Sequence, residues 1–307
     1  MTSSIILHHY DGSPYAEKIR LMFGLANLEW RSLITSVQPP RPSLDLLTGG
    51  YRRIPVAQLG ADVFCDSTII ASEIAAIAQS TALNPAAMEP AAKALANKAE
   101  KEVFFAAIAA VSPVRLIGTL FRQFGVIGAY RFVKDRATLF DGGTARPARG
   151  KEAAAILETF ISELEAVLAD QAWVGGDQAS IADFSTYHPL WLHVSASRRP
   201  LTCGPKVQAW YQKVAQIGHG SRGEISKETA FLEAKEAEPR PLPADIESEG
   251  HPIGQEVHVG PADYGVVPVA GVLAAVTKDR IIVARSDAKL GNIHVHFPRE
   301  GYSITAK

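Results

Sequence analysis

Hydrophobic and polar positions divide the chain into three regions with different periods. In the first, about 4 to 80, short apolar runs alternate with helical rhythm. SIIL (4–7) reads as a strand. Ile19, Met22, Phe23 and Ala26 then fall on one face of a helix over 14–27. WRSLIT (30–35) predicts a second strand, and a proline-rich loop follows, QPPRPSLDL (38–46). PVAQLGADVFCD predicts two strands about a Gly60-Ala61-Asp62 turn. Isoleucines at 69, 70, 74 and 77 mark a helical face over 67–79. The order is β-α-β-loop-β-β-α, an α/β domain over 1–80.

The second region, 90–236, is rich in alanine, leucine, glutamate and lysine, which favour helix. Helices are expected at about 90–111, 114–137, 148–170, 180–194, 204–216 and 225–236, with glycine pairs at 142–143 and 175–176 as breaks. Prolines and acidic residues make 237–250 a linker. The third region, 251–307, turns to β patterning: QEVHV, PVAGVLAAVT, RIIVAR, NIHVHF and YSITA are strand-like, and Lys278-Asp279 suits a tight hairpin turn. Five short strands in succession suggest a small all-β barrel or sandwich domain.

Composition narrows the partners. With 307 residues, 47% hydrophobic and 21% charged, the chain supports two or three domains with full cores. A formal net charge of -1 gives no electrostatic reason to expect nucleic acid. The two cysteines, Cys65 and Cys203, suggest a reducing compartment rather than a disulfide framework. MTSSIILHHY has no basic region before its short apolar run, unlike a signal peptide. The apolar runs at 103–111 and 266–276 are too short to span a bilayer. A soluble, cytoplasmic protein without membrane partners is expected.

Three local features carry chemistry. Ser13 stands as N-cap and Pro14 as first residue of the 14–27 helix, where unpaired N–H groups and the helix dipole favour negative charge. A hydroxyl there suits a thiol ligand held as its anion, for the reason that cysteines at helix N-termini have lowered pKa values. In YRRIPVAQL (51–59), Pro55 opens a strand after two arginines, leaving the Ile54 backbone free to pair with something outside its sheet. Arg52 and Arg53 suit a carboxylate, although loop arginines are more often solvated charges. At Asp66-Ser67 a second helix N-terminus suits an α-amino-acid carboxylate, with Asp66 for the ammonium. One ligand with a thiol, two carboxylates and an ammonium fits all three, and glutathione is such a ligand.

These stretches resemble the glutathione transferase family. SPYAEKIRL is similar to the start of its first helix, RRIPVAQL to its cis-proline loop, CDSTII to its γ-glutamyl-binding helix, and ASIADFSTY (179–187) to a buried helix start in its helical half. The resemblance covers about 4–216 and leaves 240–307 without an account. It implies a thioredoxin-like glutathione-binding domain over 1–80, an all-helical domain over 90–236, and glutathione as co-substrate. It further implies Ser13 as hydrogen-bond donor to the thiolate, with Tyr10 and Tyr15 as alternative hydroxyls. Ile54, before a cis-Pro55, would pair with the cysteinyl backbone; Asp66 and Ser67 would bind the γ-glutamyl end, and Arg53 the glycyl carboxylate. SPYA also resembles a glutaredoxin C-P-Y-C with both cysteines missing, which argues against thiol–disulfide exchange.

The expected activity is thiolate attack on a small electrophile beside Tyr10, Phe104, Phe105 and Arg115. Lyase, isomerase and dehalogenase variants start from the same thiolate. The alternative is a non-catalytic binding protein that uses the β-domain. The resemblance implies a homodimer. Ser180 and Asp183 form an S-x-x-D capping box, so Asp183 is structural. His294 and His296 alternate with Ile293, Val295 and Phe297, which puts them on the face opposite the core, in phase with His258. With no carboxylate beside them in sequence, they are expected on a solvated or interface surface, and no metal is expected. His8 and His9 are expected as packing residues.

Overall fold

The computed structural model describes residues 4–247 and 250–307. The chain begins with β1 (Ile6–His9), α1 (Pro14–Leu25), β2 (Glu29–Ile34), α2 (Pro42–Thr48), β3 (Val56–Leu59), β4 (Asp62–Cys65) and α3 (Ser67–Ala78). β1 pairs parallel with β2 and antiparallel with β3, and β3 pairs antiparallel with β4. β1 is buried along its whole length, as a strand covered on both faces must be. α1 starts as expected, with Ser13 as N-cap and Pro14 at its first turn. α2 is an addition: a seven-residue helix inside the proline-rich loop, burying Leu44 and Leu47. Pro42 opens it, so the residue type that suggested a loop is here a helix start. The Pro39–Pro40 and Ile54–Pro55 bonds are cis.

The helical half follows. α4 (Pro90–Lys98) continues through a widened π turn at Ala99–Val103 into α5 (Phe104–Ala109). α6 (Pro113–Ala137) is two helices meeting at Gly125, whose φ of 65° belongs to the left-handed region that glycine enters freely. α7 (Gly150–Asp170), α8 (Ile181–Ser197) and α9 (Pro205–Gln216) complete it. One core joins this half to the sheet: Leu7, Ile19 and Phe23 lie in the same buried cluster as Phe160, Leu164, Phe184 and Trp210. The capping box at Ser180 and Asp183 is formed, as expected.

After α9 the chain returns to the sheet, where the sequence suggested a last helix of the helical domain. β5 (Ser221–Glu224) pairs parallel with β2, and α10 (Lys227–Glu236) buries Ala230 and Ala234. Then come β6 (Glu256–Pro261), β7 (Val269–Val276), β8 (Arg280–Asp287), β9 (Gly291–Pro298) and β10 (Tyr302–Ala306), the five expected strands. They are joined to the first region's sheet. β9 pairs parallel with β4, giving one ten-stranded sheet of order β10-β6-β7-β8-β9-β4-β3-β1-β2-β5.

The reason is the open edge of β4, whose backbone groups need partners. The C-terminal portion is nevertheless curled. Pro298 and Tyr302 bound a short link, with a reach of at most about 14 Å. Laid flat, the outer two of five paired strands would be about 19 Å apart. The curl encloses Val257, Leu273, Val283 and Phe297, in a cluster that also takes Leu47, Val56 and Val63 from the first region. Among the described residues no single helix is long and apolar enough to cross a membrane.

Candidate functional site

A cleft of about 940 Å³ opens between the α3 side of the sheet and the helical half, with the C-terminal strands as a third wall. It gathers Arg53, Ile54, Pro55, Asp66 and Ser67, together with Tyr15 and Phe105. Ser13, Tyr10, Phe104 and Arg115 do not line it. Ser13 is 2% exposed, and its Oγ accepts the Ala16 N–H at 3.3 Å, the ordinary contact of a helix cap. Phe104 backs the wall, its ring 4.7 Å from that of Tyr15. Arg115 lies exposed on α6. Arg52 turns away, donating to the Asp135 carbonyl at 2.7 Å and carboxylate at 3.0 Å.

Asp66 caps α3 with its Oδ1 accepting the Thr68 N–H at 2.9 Å. Its φ of 98° is strained for a residue with a Cβ, a cost of about 1–3 kcal/mol that structures retain chiefly at functional sites. The Asp66 Oδ2 accepts from the Tyr302 hydroxyl at 3.1 Å and from Arg53 at 3.4 Å. Tyr302 and Tyr51 share a hydroxyl contact of 2.6 Å.

Arg53 is the hinge between the first region and the C-terminal strands. It pairs with the Asp263 carboxylate, donates to the Tyr264 carbonyl at 2.6 Å, and lies 3.9 Å over the Tyr264 ring. The segment carrying Asp263 also binds the helical half: the Thr144 N–H donates to the Ala262 carbonyl at 3.1 Å and the Ala145 N–H to the Asp263 carbonyl at 2.9 Å. Gly143 makes this approach possible, since a Cβ there would sit 1.9 Å from the Asp263 carbonyl oxygen.

Under the cleft, Tyr15 donates its hydroxyl to the Glu100 carbonyl at 3.2 Å. Burial pushes the Tyr15 phenol well above its usual pKa, so it stays protonated as a donor. Glu100 pairs with Lys18 at 2.7 Å. Burial alone would raise the Glu100 carboxyl, but the adjacent Lys18 ammonium holds it well below the carboxylate range. His188 is fully buried and neutral because desolvation lowers its pKa. Its Nε2 is 3.8 Å from the Glu100 carboxylate, beyond hydrogen-bond reach, and neither ring nitrogen has a partner.

Sequence reasoning missed Lys18, Glu100, His188, Asp263, Tyr264 and Tyr302. A π turn is a frequent mark of functional sites, but the residues at Ala99–Val103 do not announce one. One signal was available: α1 carries Glu17, Lys18 and Arg20 on faces that are all buried, so each requires a partner.

The two histidines of β9 also depart from expectation. His296 is 3% exposed and donates to the Asp62 Oδ1 at 2.7 Å, while His294 is half-buried. The face opposite the core of 251–307 is covered by the 237–247 segment, whose Arg240 N–H donates to the Asp62 Oδ2 at 3.0 Å. His8 and His9 are buried in β1 as expected.

Comparison with known proteins agrees with this architecture. Residues 7–82 match the family model of the glutathione S-transferase N-terminal domain, and residues 143–217 match that of the C-terminal domain. A GST-like protein from Pseudomonas syringae is 31% identical, covering 99% of this chain and 100% of that chain, with a TM-score of 0.76. Its likeness therefore extends through the C-terminal strands. A glutathione S-transferase from Rhodospirillum rubrum is 18% identical over 68% of this chain and 87% of that one, with a TM-score of 0.49. A delta-class glutathione transferase from Nilaparvata lugens is 20% identical over 70% and 90%, with a TM-score of 0.46. No curated protein matches the chain.

Proposed function

The chain belongs to the glutathione S-transferase family, and from that premise we propose that its cleft binds glutathione and ionises the tripeptide's thiol for attack on a small electrophilic molecule. The observation that carries this reading is the convergence of Arg53, Ile54, cis-Pro55, Asp66 and Ser67 on one cleft at a helix N-terminus. The α3 N–H groups and the Ser67 hydroxyl suit the γ-glutamyl carboxylate, with Asp66 for its ammonium. The Ile54 backbone pairs with the cysteinyl residue. Arg53 takes the glycyl carboxylate, which must displace Asp263 from the guanidinium. Of the three candidate hydroxyls, Tyr15 alone borders the cleft, so it turns its one O–H from the Glu100 carbonyl to donate to the thiolate while Ser13 shapes the helix end. The thiol proton passes to solvent, the thiolate sulfur forms the new bond to the electrophile, and the bond to the leaving group breaks with its electron pair, or in an addition the electrophile takes up that pair and a proton from solvent. Phe105 and Tyr264 supply the apolar wall for the electrophile.

A homodimer fits the exposed apolar residues Val114, Phe121, Val126, Ile127 and Tyr130 on α6. A cytoplasmic setting fits two free cysteines. The second reading, a protein that binds without turnover, is favoured by one observation: the Asp263 carboxylate already satisfies Arg53.

Titration calorimetry with glutathione, followed by turnover of a generic electrophile, tests the proposal. Tyr15→Phe should leave binding within a few-fold and lower turnover by about 10²–10³, as loss of one preorganised donor does. Ser13→Ala should cost stability through the cap and little turnover. Loss of turnover in Ser13→Ala but not in Tyr15→Phe moves the donor to Ser13. Binding without turnover in the wild-type chain selects the second reading. No uptake of glutathione at millimolar levels removes both.

A further inference from the structure

We propose that Asp62, His294 and His296 form a binding site for one divalent first-row transition ion of the zinc, cobalt or nickel kind. The site lies on the seam where β9 joins β4. Parallel pairing sets Asp62 opposite His294 and Phe64 opposite His296. The period of two then brings both imidazoles to the face that carries the Asp62 carboxylate. One ligand atom from each of the three residues lies within 4.8 Å of the other two. Two imidazole nitrogens and a carboxylate oxygen are a donor set for this class of ion, which on binding displaces to solvent the proton that the His296 ring donates to Asp62. Calcium and magnesium want oxygen ligands, and this set offers a single carboxylate.

A second observation points to a ligand. The Nδ1 atoms of His294 and His296 are both enclosed and have no hydrogen-bond partner. Enclosed polar nitrogens without partners are costly.

The surroundings orient the carboxylate. The Arg240 N–H and guanidinium hold the Asp62 Oδ2 at 3.0 and 3.3 Å, which leaves Oδ1 toward His296. Glu73 takes the guanidiniums of Arg240 and Arg280 at 3.0 and 2.9 Å, so the neighbouring positive charge is matched without the Oδ1 of Asp62. Such outer partners are the usual complement of a metal ligand set. His294 borders a surface hollow of about 470 Å³ with Glu238 and Asn292, which gives an ion a route in from solvent. Asp62 comes from the first region and both histidines from the last, so a bound ion clamps the C-terminal strands to the thioredoxin-like sheet.

The test uses the full chain, stripped with a chelator and titrated with Co(II) by calorimetry and visible absorption. We expect one Co(II) per chain, with d–d bands of a nitrogen–oxygen site, and a melting temperature that rises on addition. His294→Ala, half-buried and so compatible with folding, should weaken uptake by about a hundred-fold or more. Asp62→Asn keeps the shape, removes the charge and should weaken it similarly. His258→Ala, on strand β6, which β7 and β8 separate from β9, should leave it unchanged. Mg(II) should give no heat at the same concentrations. Absence of Co(II) uptake by the wild-type chain, or uptake that His294→Ala leaves unaltered, overturns the proposal and returns the cluster to a structural hydrogen-bonded pair.

Discussion

Replacing Asp183 with alanine removes the acceptor of four hydrogen bonds in the helical half. Its Oδ1 accepts the Val174 N–H and the Trp210 Nε1–H, each at 2.8 Å. Its Oδ2 accepts the Ser180 N–H at 2.9 Å and the Ser180 hydroxyl at 3.1 Å. Val174 and Trp210 are 3% and 2% exposed, so water does not replace the lost acceptor at either. Two enclosed donors at about 1–3 kcal/mol each give about 2–6 kcal/mol. Ser180 is partly open to water, and its share is an ordinary cap, about 0.5–2 kcal/mol. The sum, about 3–8 kcal/mol, is a large part of the 5–15 kcal/mol that typically separates folded from unfolded chains. Thermal unfolding followed by circular dichroism should show a fall of about 5–12 °C. Asp183→Asn keeps one oxygen for the two enclosed donors and turns its NH₂ toward Ser180, so it should lose only the cap, about 0.5–2 kcal/mol. The expected order of stability is wild type, then asparagine, then alanine. An alanine variant within about 1 kcal/mol of wild type, or an asparagine variant as damaged as alanine, refutes the reasoning.

Other outcomes follow from single contacts. Asp263→Asn removes the carboxylate that competes for Arg53; the Asp263 side chain is 46% exposed, so the pair is weak and glutathione should bind up to about five-fold tighter by calorimetry. Weaker binding would mean that Asp263 holds the tripeptide instead. Stability should fall on acidification. Burial lowers the His8 pKa from 6.5 to about 4, so between those values the unfolded chain carries a proton that the folded chain does not. This contribution is complete above pH 6.5 and lost as pH falls toward 4, up to about 3 kcal/mol at 1.36 kcal/mol per unit. Burial and Arg20 lower His9 to about 3, in the same direction. A melting temperature flat between those limits contradicts the burial of these rings.

Much of the first region was legible because its signals are local. Ser13-Pro14 and Asp66-Ser67 are helix starts whose logic lies within one turn, and the five C-terminal strands announce themselves by alternation. The contacts that finish the cleft are not local: Arg53 meets Asp263 across 210 positions and Asp66 meets Tyr302 across 236. A local pattern also cannot say which side of a helix end is walled off. The sequence puts Ser13 first, with Tyr10 and Tyr15 as alternatives, yet of the three only Tyr15 borders the cleft.

By itself the sequence determined where most strands and helices begin and which faces are apolar. Tertiary structure decided which strand edges meet. Alternation of side chains tells a strand which face to bury, but the N–H and C=O groups along its edge are the same in every strand and carry no address. The pairing of β9 with β4 is therefore settled by how the curled strands pack against the first region's core. That pairing brings a carboxylate from one end of the chain to two histidines from the other.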